Sequence, residues 1–288
     1  MQSAQRIIWL ASFPKSGNTW TRSFLANYFA PKGETLDINS LRRFTTADVR
    51  QDFFDRARGG PFESRDFDDW LVTRQAALRL IALSKPTPHF VKTHSRIDRI
   101  GGHDLIPPAL TAAAVYIIRN PFDVAPSLAR HLSLSLDRTI DRMLDPEALN
   151  ATPTRIFEAI GRWDIHVQSW VGAPGLARHV MRYEDMVDDP ERAFRGLLGF
   201  LRAPVHDGQL RRAIRTVSFD ALRKQEEQAG FIERPPGMER FFARGRAGGW
   251  REDLTPAQVA RLRDAFLPTL TAWYPELLEE TAAFAAGA

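Results

Sequence analysis

Residues 7–29 constrain this chain more than any other stretch. Ile7-Ile8-Trp9-Leu10-Ala11 is a short, apolar, partly β-branched run, the pattern of a strand buried on both faces. After Thr19 the residues Trp20, Phe24 and Tyr28 fall four apart, with Leu25 and Phe29 beside them, which is one face of a helix. Between strand and helix lies Phe13-Pro14-Lys15-Ser16-Gly17-Asn18-Thr19. So tight a loop aims unpaired N–H groups and the positive end of the helix dipole at one point, which suits a phosphate or a sulfate. Lys15 adds a point charge there. The order differs from the usual nucleotide loop, G-x-x-x-x-G-K-[ST], because the Lys precedes the Gly by two and follows a Pro. Taken alone, the stretch also fits an ordinary strand–turn–helix with a surface lysine.

Composition narrows the classes. The absence of Cys excludes disulfides, thiolate catalysis and Cys-ligated zinc. No apolar run reaches the length needed to span a bilayer, and the first residues lack a leader-like apolar region, so a cytoplasmic protein is expected. The net charge of +4 is modest, but Arg240, Arg244, Arg246 and Arg251 cluster. Such a cluster serves a polyanionic nucleotide, and no zinc-finger spacing, RNA-binding signature or long basic run supports a nucleic-acid partner. Alternation of strand and helix patterns predicts an α/β fold: a single domain over residues 1–288, with a mostly parallel central sheet flanked by helices, in the manner of P-loop-like nucleotide-binding folds.

Further along, Phe53, Phe54, Phe62, Phe67 and Trp70 are scattered among charges; they fit core packing or one wall of an acceptor pocket. Residues 71–83 read as a helix. His89-Phe90-Val91-Lys92-Thr93-His94 reads as a strand ending in polar residues, where chemistry sits in open α/β sheets. Residues 112–118 predict a central strand, running into Arg119-Asn120-Pro121-Phe122-Asp123-Val124-Ala125-Pro126-Ser127. A magnesium-dependent nucleotide hydrolase wants an Asp at such a strand end; this chain has Arg119, a planar fork for phosphate oxygens, with the Ser127 hydroxyl eight residues on. Asp123 fits a helix start. Residues 132–150 fit either a mobile cover over the site or an ordinary surface helix, broken at Thr152-Pro153-Thr154. Residues 156–171 read as one helix, 177–181 as a strand leading into Arg182-Tyr183-Glu184-Asp185-Met186, and 282–288 as a frayed tail.

The chain closely resembles the soluble sulfotransferases that use 3′-phosphoadenosine 5′-phosphosulfate as donor. Residues 13–20 match that family's 5′-phosphosulfate loop, P-K-S-G-T-T-W. Lys92-Thr93-His94 matches its Lys-Thr-His, Arg119 to Ser127 its 3′-phosphate motif with the same spacing, and residues 183–186 its Tyr-Glu-Asp-Met. Ser218-Phe219 corresponds to a Ser-Phe segment, and residues 243–251 to R-K-G-x-x-G-D-W-K. The resemblance covers residues 7–251 and implies a set of roles. Lys15, Lys92 and the amides of Ser16, Gly17, Asn18 and Thr19 stabilise charge on the bridging oxygen. His94 takes the acceptor proton. Trp20, Tyr183 and Phe219 hold the adenine; Arg119, Ser127, Arg244 and Gly245 hold the 3′-phosphate. The implied reaction moves a sulfuryl group onto a hydroxyl or amine of a small-molecule acceptor, without a metal, leaving 3′-phosphoadenosine 5′-phosphate. Three departures stand out. Ala243 replaces the first basic residue, with Arg246 close enough in sequence to compensate; Gly249 replaces the Asp; and Ser95-Arg96 replaces Leu-Pro after the histidine. The family's dimer motif, K-x-x-x-T-V-x-x-x-E, would span residues 251–260, where Pro256 and Ala260 break it, so a homo-oligomer would need another interface. Two rivals remain from the residues themselves: an ATP-dependent phosphotransferase with a divergent loop, and a non-catalytic nucleotide-binding module.

Overall fold

The apolar run at the start is strand β1 (Ile7–Ser12), and the periodic stretch after the loop is helix α1 (Asn18–Tyr28). The structure, a computed structural model, describes residues 6–63, 66–151 and 156–287. In chain order there follow α2 (Leu41–Phe44), β2 (Thr46–Ala47), α3 (Gln51–Arg58), α4 (Phe67–Leu83) and β3 (His89–Thr93). A small hairpin, β4 (Arg99–Ile100) and β5 (His103–Asp104), turns at Gly101-Gly102 and precedes β6 (Thr111–Ile118). Then come α5 (Pro121–Leu132), α6 (Leu136–Leu144), β7 (Leu149–Ala151), β8 (Phe157–Ala159), α7 (Trp163–Val171) and β9 (Arg178–Arg182). The C-terminal part is helical: α8 (Tyr183–Asp188), α9 (Pro190–Phe200), α10 (Asp207–Thr216), α11 (Phe219–Ala229), α12 (Trp250–Asp253), α13 (Pro256–Trp273) and α14 (Glu276–Ala286). The class is α/β, as expected: a five-stranded sheet in the order β2-β3-β1-β6-β9, with β1–β3 and β2–β3 parallel, and helices around it.

The chain groups into two compact units interleaved in sequence: residues 1–13, 45–116 and 145–180, and residues 14–44, 117–144 and 181–288. In the first unit Trp9, Leu10 and Val91 are wholly buried, each worth on the order of 2 kcal/mol of transfer free energy. The register pairs Leu10 with Lys92 and Ala11 with Thr93, so the carboxyl ends of β1 and β3 lie side by side. A buried cluster anchors that end of β3. Asp48 accepts the Thr93 hydroxyl at 2.7 Å and the Arg74 guanidinium at 2.6 Å, and its own N–H donates to the Lys92 carbonyl at 3.0 Å. Removing one partner of so dry a pair would leave a buried charge, so the cluster fixes position more than it adds stability.

Phe53, Phe54, Phe62 and Trp70 are buried, which settles them as core. Two element expectations are corrected. Residues 156–171 are not one helix: β8 and α7 are separated by Gly161 at φ 66°, where a Cβ would lie 2.2 Å from Arg96 Nη1. The same apolar residues, Ile156, Ile160, Trp163, Val167 and Trp170, are nevertheless buried. The stretch 282–288 is not a frayed tail as far as Ala286: α14 runs through it because Phe284 packs edge-on against Trp250, ring centroids 5.2 Å apart. Of the open reading at 132–150, the surface helix holds. Helix α6 buries Thr139, Ile140 and Met143, and α13 grips it through Gln258 on Asp137 at 2.8 Å and Arg261 on Asp141 at 2.5 Å. The break at 152–154 lies outside the described residues. The residues matching the dimer motif do something local instead: Thr255 and Gln258 form a capping box with Pro256 at the first turn of α13.

Candidate functional site

In the second unit, the loop before α1 has the geometry of an anion receptor. Gly17, at φ 106°, occupies the N-cap position without a side-chain cap, and no acidic residue stands in the first turn. Its helix therefore presents uncapped N–H groups and an unopposed dipole. Only glycine fits: φ is left-handed, and a Cβ would come within 2.8 Å of the Tyr183 ring. Lys15 is itself left-handed, φ 68°, uncommon for a residue with a side chain and a mark of functional loops. Its ammonium sits 3.7 Å from the centroid of the Phe241 ring. The buried Ser16 hydroxyl has no hydrogen-bond partner among the described residues.

A second strand-to-helix junction lies in the same unit. Asn120 caps α5 by accepting from the Asp123 N–H at 2.8 Å, and its amide nitrogen donates to Glu184 at 2.6 Å. Burial raises the Glu184 carboxyl, opposed by the bonds from Asn120. Arg119 stacks over Tyr183, 4.1 Å from the ring centroid, and donates to the Lys15 carbonyl at 3.1 Å. Asp123 accepts the N–H groups of Gly248 at 2.8 Å and Trp250 at 3.0 Å, latching the glycine-rich loop to α5. Arg119, Ser127, Arg130, Arg244 and Arg246 line a small cleft there with Asp253. Gly245 is required at its position by φ 63° and by the Phe219 ring, 2.1 Å from where a Cβ would stand.

Both junctions open on one cavity of about 310 Å³. Lys15, Gly17, Asn18, Thr19 and Trp20 line it from the first, Arg119 and Ser127 from the second. Tyr183, Phe219 and Gly245, also expected from the sequence, line it as well, whereas Ser16 is not among its lining residues and Arg244 lies in the neighbouring cleft. Trp20 meets Tyr183 edge-on at 6.1 Å and Phe194 at 5.8 Å. The apolar wall adds Val187, Pro190, Ile214, Val217 and Leu222, single residues with no sequence pattern of their own. Phe241 was likewise missed. Asp123 was noticed as a helix-start residue, but its latch on residues 248–250 joins positions far apart in sequence and leaves no local signal. Among the described residues no group of His, Cys, Asp or Glu could hold a metal ion.

Lys92 and His94 belong to the first unit, at the carboxyl end of β3. His94 Nδ1 lies 2.7 Å from the Ser12 carbonyl, which can only accept; the proton is therefore on Nδ1, and Nε2 is the basic nitrogen. Behind it sits His166, wholly buried, receiving the Tyr116 hydroxyl at 2.9 Å on Nδ1 and donating Nε2–H to the His94 carbonyl at 3.1 Å. Burial pushes the His166 imidazole down to about 3, so it is neutral, and burial raises the Tyr116 phenol. Tyr116 is thus the donor in their bond.

A family model described as the sulfotransferase domain matches residues 5–274. Cytosolic sulfotransferase 10 of Arabidopsis thaliana is 22% identical over 275 residues, 91% of this chain and 77% of that protein. Sulfotransferase 1B1 of Canis lupus familiaris is 26% identical over 264 residues, covering 86% and 78%. Among solved structures, mouse sulfotransferase SULT7A1 in complex with PAP (3′-phosphoadenosine 5′-phosphate) superposes with a TM-score of 0.62 at 18% identity, over 98% of this chain and 90% of that one. Retinol dehydratase in complex with retinol and PAP gives 0.63 at 20% identity, over 92% and 81%. At these identities the structural likeness speaks for the fold.

Proposed function

Since the chain belongs to the sulfotransferase domain family, we propose that it transfers a sulfuryl group from 3′-phosphoadenosine 5′-phosphosulfate to a hydroxyl or amine of a small-molecule acceptor. The observation that carries this reading is one cavity that has an anion-receptor loop, a cluster of guanidinium groups beside it, and an aromatic and apolar wall. That arrangement suits a nucleoside bearing anions at both its 5′ and 3′ positions. The chemistry is an in-line displacement. The acceptor oxygen or nitrogen bonds to sulfur, the bond from sulfur to the bridging oxygen breaks, and 3′-phosphoadenosine 5′-phosphate leaves with that electron pair.

Lys15 and Lys92 neutralise charge on the bridging oxygen, and the uncapped amides of α1 hold the anionic group; such fixed, preorganised dipoles carry much of the rate enhancement in enzymes. His94 receives the acceptor proton on Nε2, the nitrogen that its bond to Ser12 leaves basic. Arg119 and Ser127 bind the 3′-phosphate, with Arg244 and the loop at Gly245; Trp20, Tyr183 and Phe219 pack around the base. No step in this scheme calls for a metal. The names of the relatives, cytosolic sulfotransferases among them, support a cytoplasmic site of action.

The test separates binding from chemistry. Calorimetric titration should give tight, magnesium-independent binding of 3′-phosphoadenosine 5′-phosphate and weaker binding of adenosine 5′-monophosphate. Lys15→Ala should abolish transfer. His94→Ala should abolish transfer while leaving nucleotide affinity unchanged; full turnover in that variant would sink the assigned base. A preference for ATP with magnesium would overturn the donor assignment.

A further inference from the structure

The cleft beside the main cavity holds four guanidinium groups, which are not equivalent. Arg119 donates from Nη1 to the Lys15 carbonyl and stacks over the Tyr183 ring, while its Nε is buried without a hydrogen-bond partner among the described residues. Arg246 turns outward to Glu252, and its side chain is 54% exposed. Arg244 and Arg130 converge instead on one carboxylate: Arg244 Nη2 lies 2.7 Å from Asp253 Oδ1, and Arg130 Nη1 lies 3.4 Å from Asp253 Oδ2. Arg130 follows Ser127 by three residues on α5, so the two side chains share a helix face and the same cleft. Asp123, the other acid of the cleft, is occupied by the amides of Gly248 and Trp250. Two guanidinium groups held on the two oxygens of one carboxylate form the arrangement that an oxyanion of a phosphate would meet.

We infer that Arg130 and Arg244 form a paired guanidinium clamp for the ligand's 3′-phosphate, with the Asp253 carboxylate standing in for that phosphate when no nucleotide is bound. The inference rests on the donor reading above and adds a residue to it. It places the second basic group on α5 rather than at Arg246, although Arg246 lies in the same loop as Ala243. A phosphate dianion carries more charge than the carboxylate it competes with, so the exchange favours the ligand, and the pull weakens with salt.

The test compares 3′-phosphoadenosine 5′-phosphate with adenosine 5′-monophosphate, which differ only in the 3′-phosphate. Arg130→Ala should weaken the first by about tenfold, the scale of losing one charge-assisted contact in a partly exposed cleft, and leave the second within about twofold. Arg130→Lys should recover part of the loss, and Arg246→Ala should cost less than Arg130→Ala. Unfolding midpoints accompany each titration, so that a folding defect is seen as such. Equal weakening of both nucleotides by Arg130→Ala, no weakening of either, or a larger loss from Arg246→Ala would overturn the clamp while leaving the donor reading intact. A wild-type protein that does not prefer the 3′-phosphorylated nucleotide would overturn the donor reading itself, and the clamp with it.

Discussion

Acidifying the solution from pH 7 to pH 5 should cost the folded protein about 2 kcal/mol at His166 alone. The imidazole is wholly buried between the Tyr116 hydroxyl and the His94 carbonyl, with the Arg96 guanidinium and the His94 ring as the nearby basic groups. Burial first, and those charges second, hold it down to about 3, against an ordinary 6.5. In the unfolded chain it protonates near 6.5; in the folded protein it resists until about 3. Acid therefore favours the unfolded state. The contribution is fully present above 6.5 and is lost progressively as pH falls toward 3. At 1.36 kcal/mol per tenfold difference in proton affinity, the whole window is worth roughly 5 kcal/mol, of which about 2 kcal/mol falls between pH 7 and pH 5. His89 and His179 are also lowered by burial, so the measurement must be differential. Denaturant unfolding of wild type and His166→Gln at pH 7, 6 and 5 cancels their background. The stability difference between the two proteins should shift by about 2 kcal/mol against wild type on acidification. A difference constant to within about 0.5 kcal/mol would refute a neutral, buried His166 and with it the Tyr116-to-His94 chain of bonds.

Two further substitutions probe the second unit. Gly17→Ala forces a side chain into a left-handed backbone and against the Tyr183 ring; it should cost about 1–2 kcal/mol in denaturant unfolding and weaken nucleotide binding measured by calorimetry. Unchanged affinity would show that the loop amides do not hold the ligand. Asp123→Ala strips the acceptor from two backbone N–H groups, and at about 1–3 kcal/mol for each group left unsatisfied it should lower stability by at least about 2 kcal/mol. A loss below about 0.5 kcal/mol would mean that the glycine-rich loop is not latched there.

What could be read from the sequence was what is local. The strand, loop and helix at residues 7–29 announce themselves because alternation, turn chemistry and helical spacing each act over a few residues. The helix misread at 156–171 fails for an instructive reason. Residues spaced three and four apart were buried as expected, but burial was supplied partly by a strand, and Gly161 turns the chain between the two elements. The continuation of α14 depends on Phe284 finding Trp250, and the role of Asp123 on Gly248 and Trp250; neither contact has a signature within a window of sequence. The candidate site was more legible than the fold around it, because charged and glycine-rich motifs keep their spacing. Its apolar wall, its Phe241 cover over Lys15 and its Arg130 were not, since isolated apolar or basic residues are commonplace on any helix.

The helix that follows the anion-receptor loop starts without a side-chain cap. Helices α4, α5, α9, α11 and α13 each begin on a side chain that caps them, whereas α1 begins on Gly17 with none. A missing cap forgoes about 1 kcal/mol, a loss that an anion bound at those amides would offset. A ligand held there at a hundred times its Kd adds about 2.7 kcal/mol to the folded state, thinning the unfolded population about a hundredfold. Because proteases in a cell draw on that population, the supply of nucleotide would govern how long each molecule survives as well as how fast it turns over.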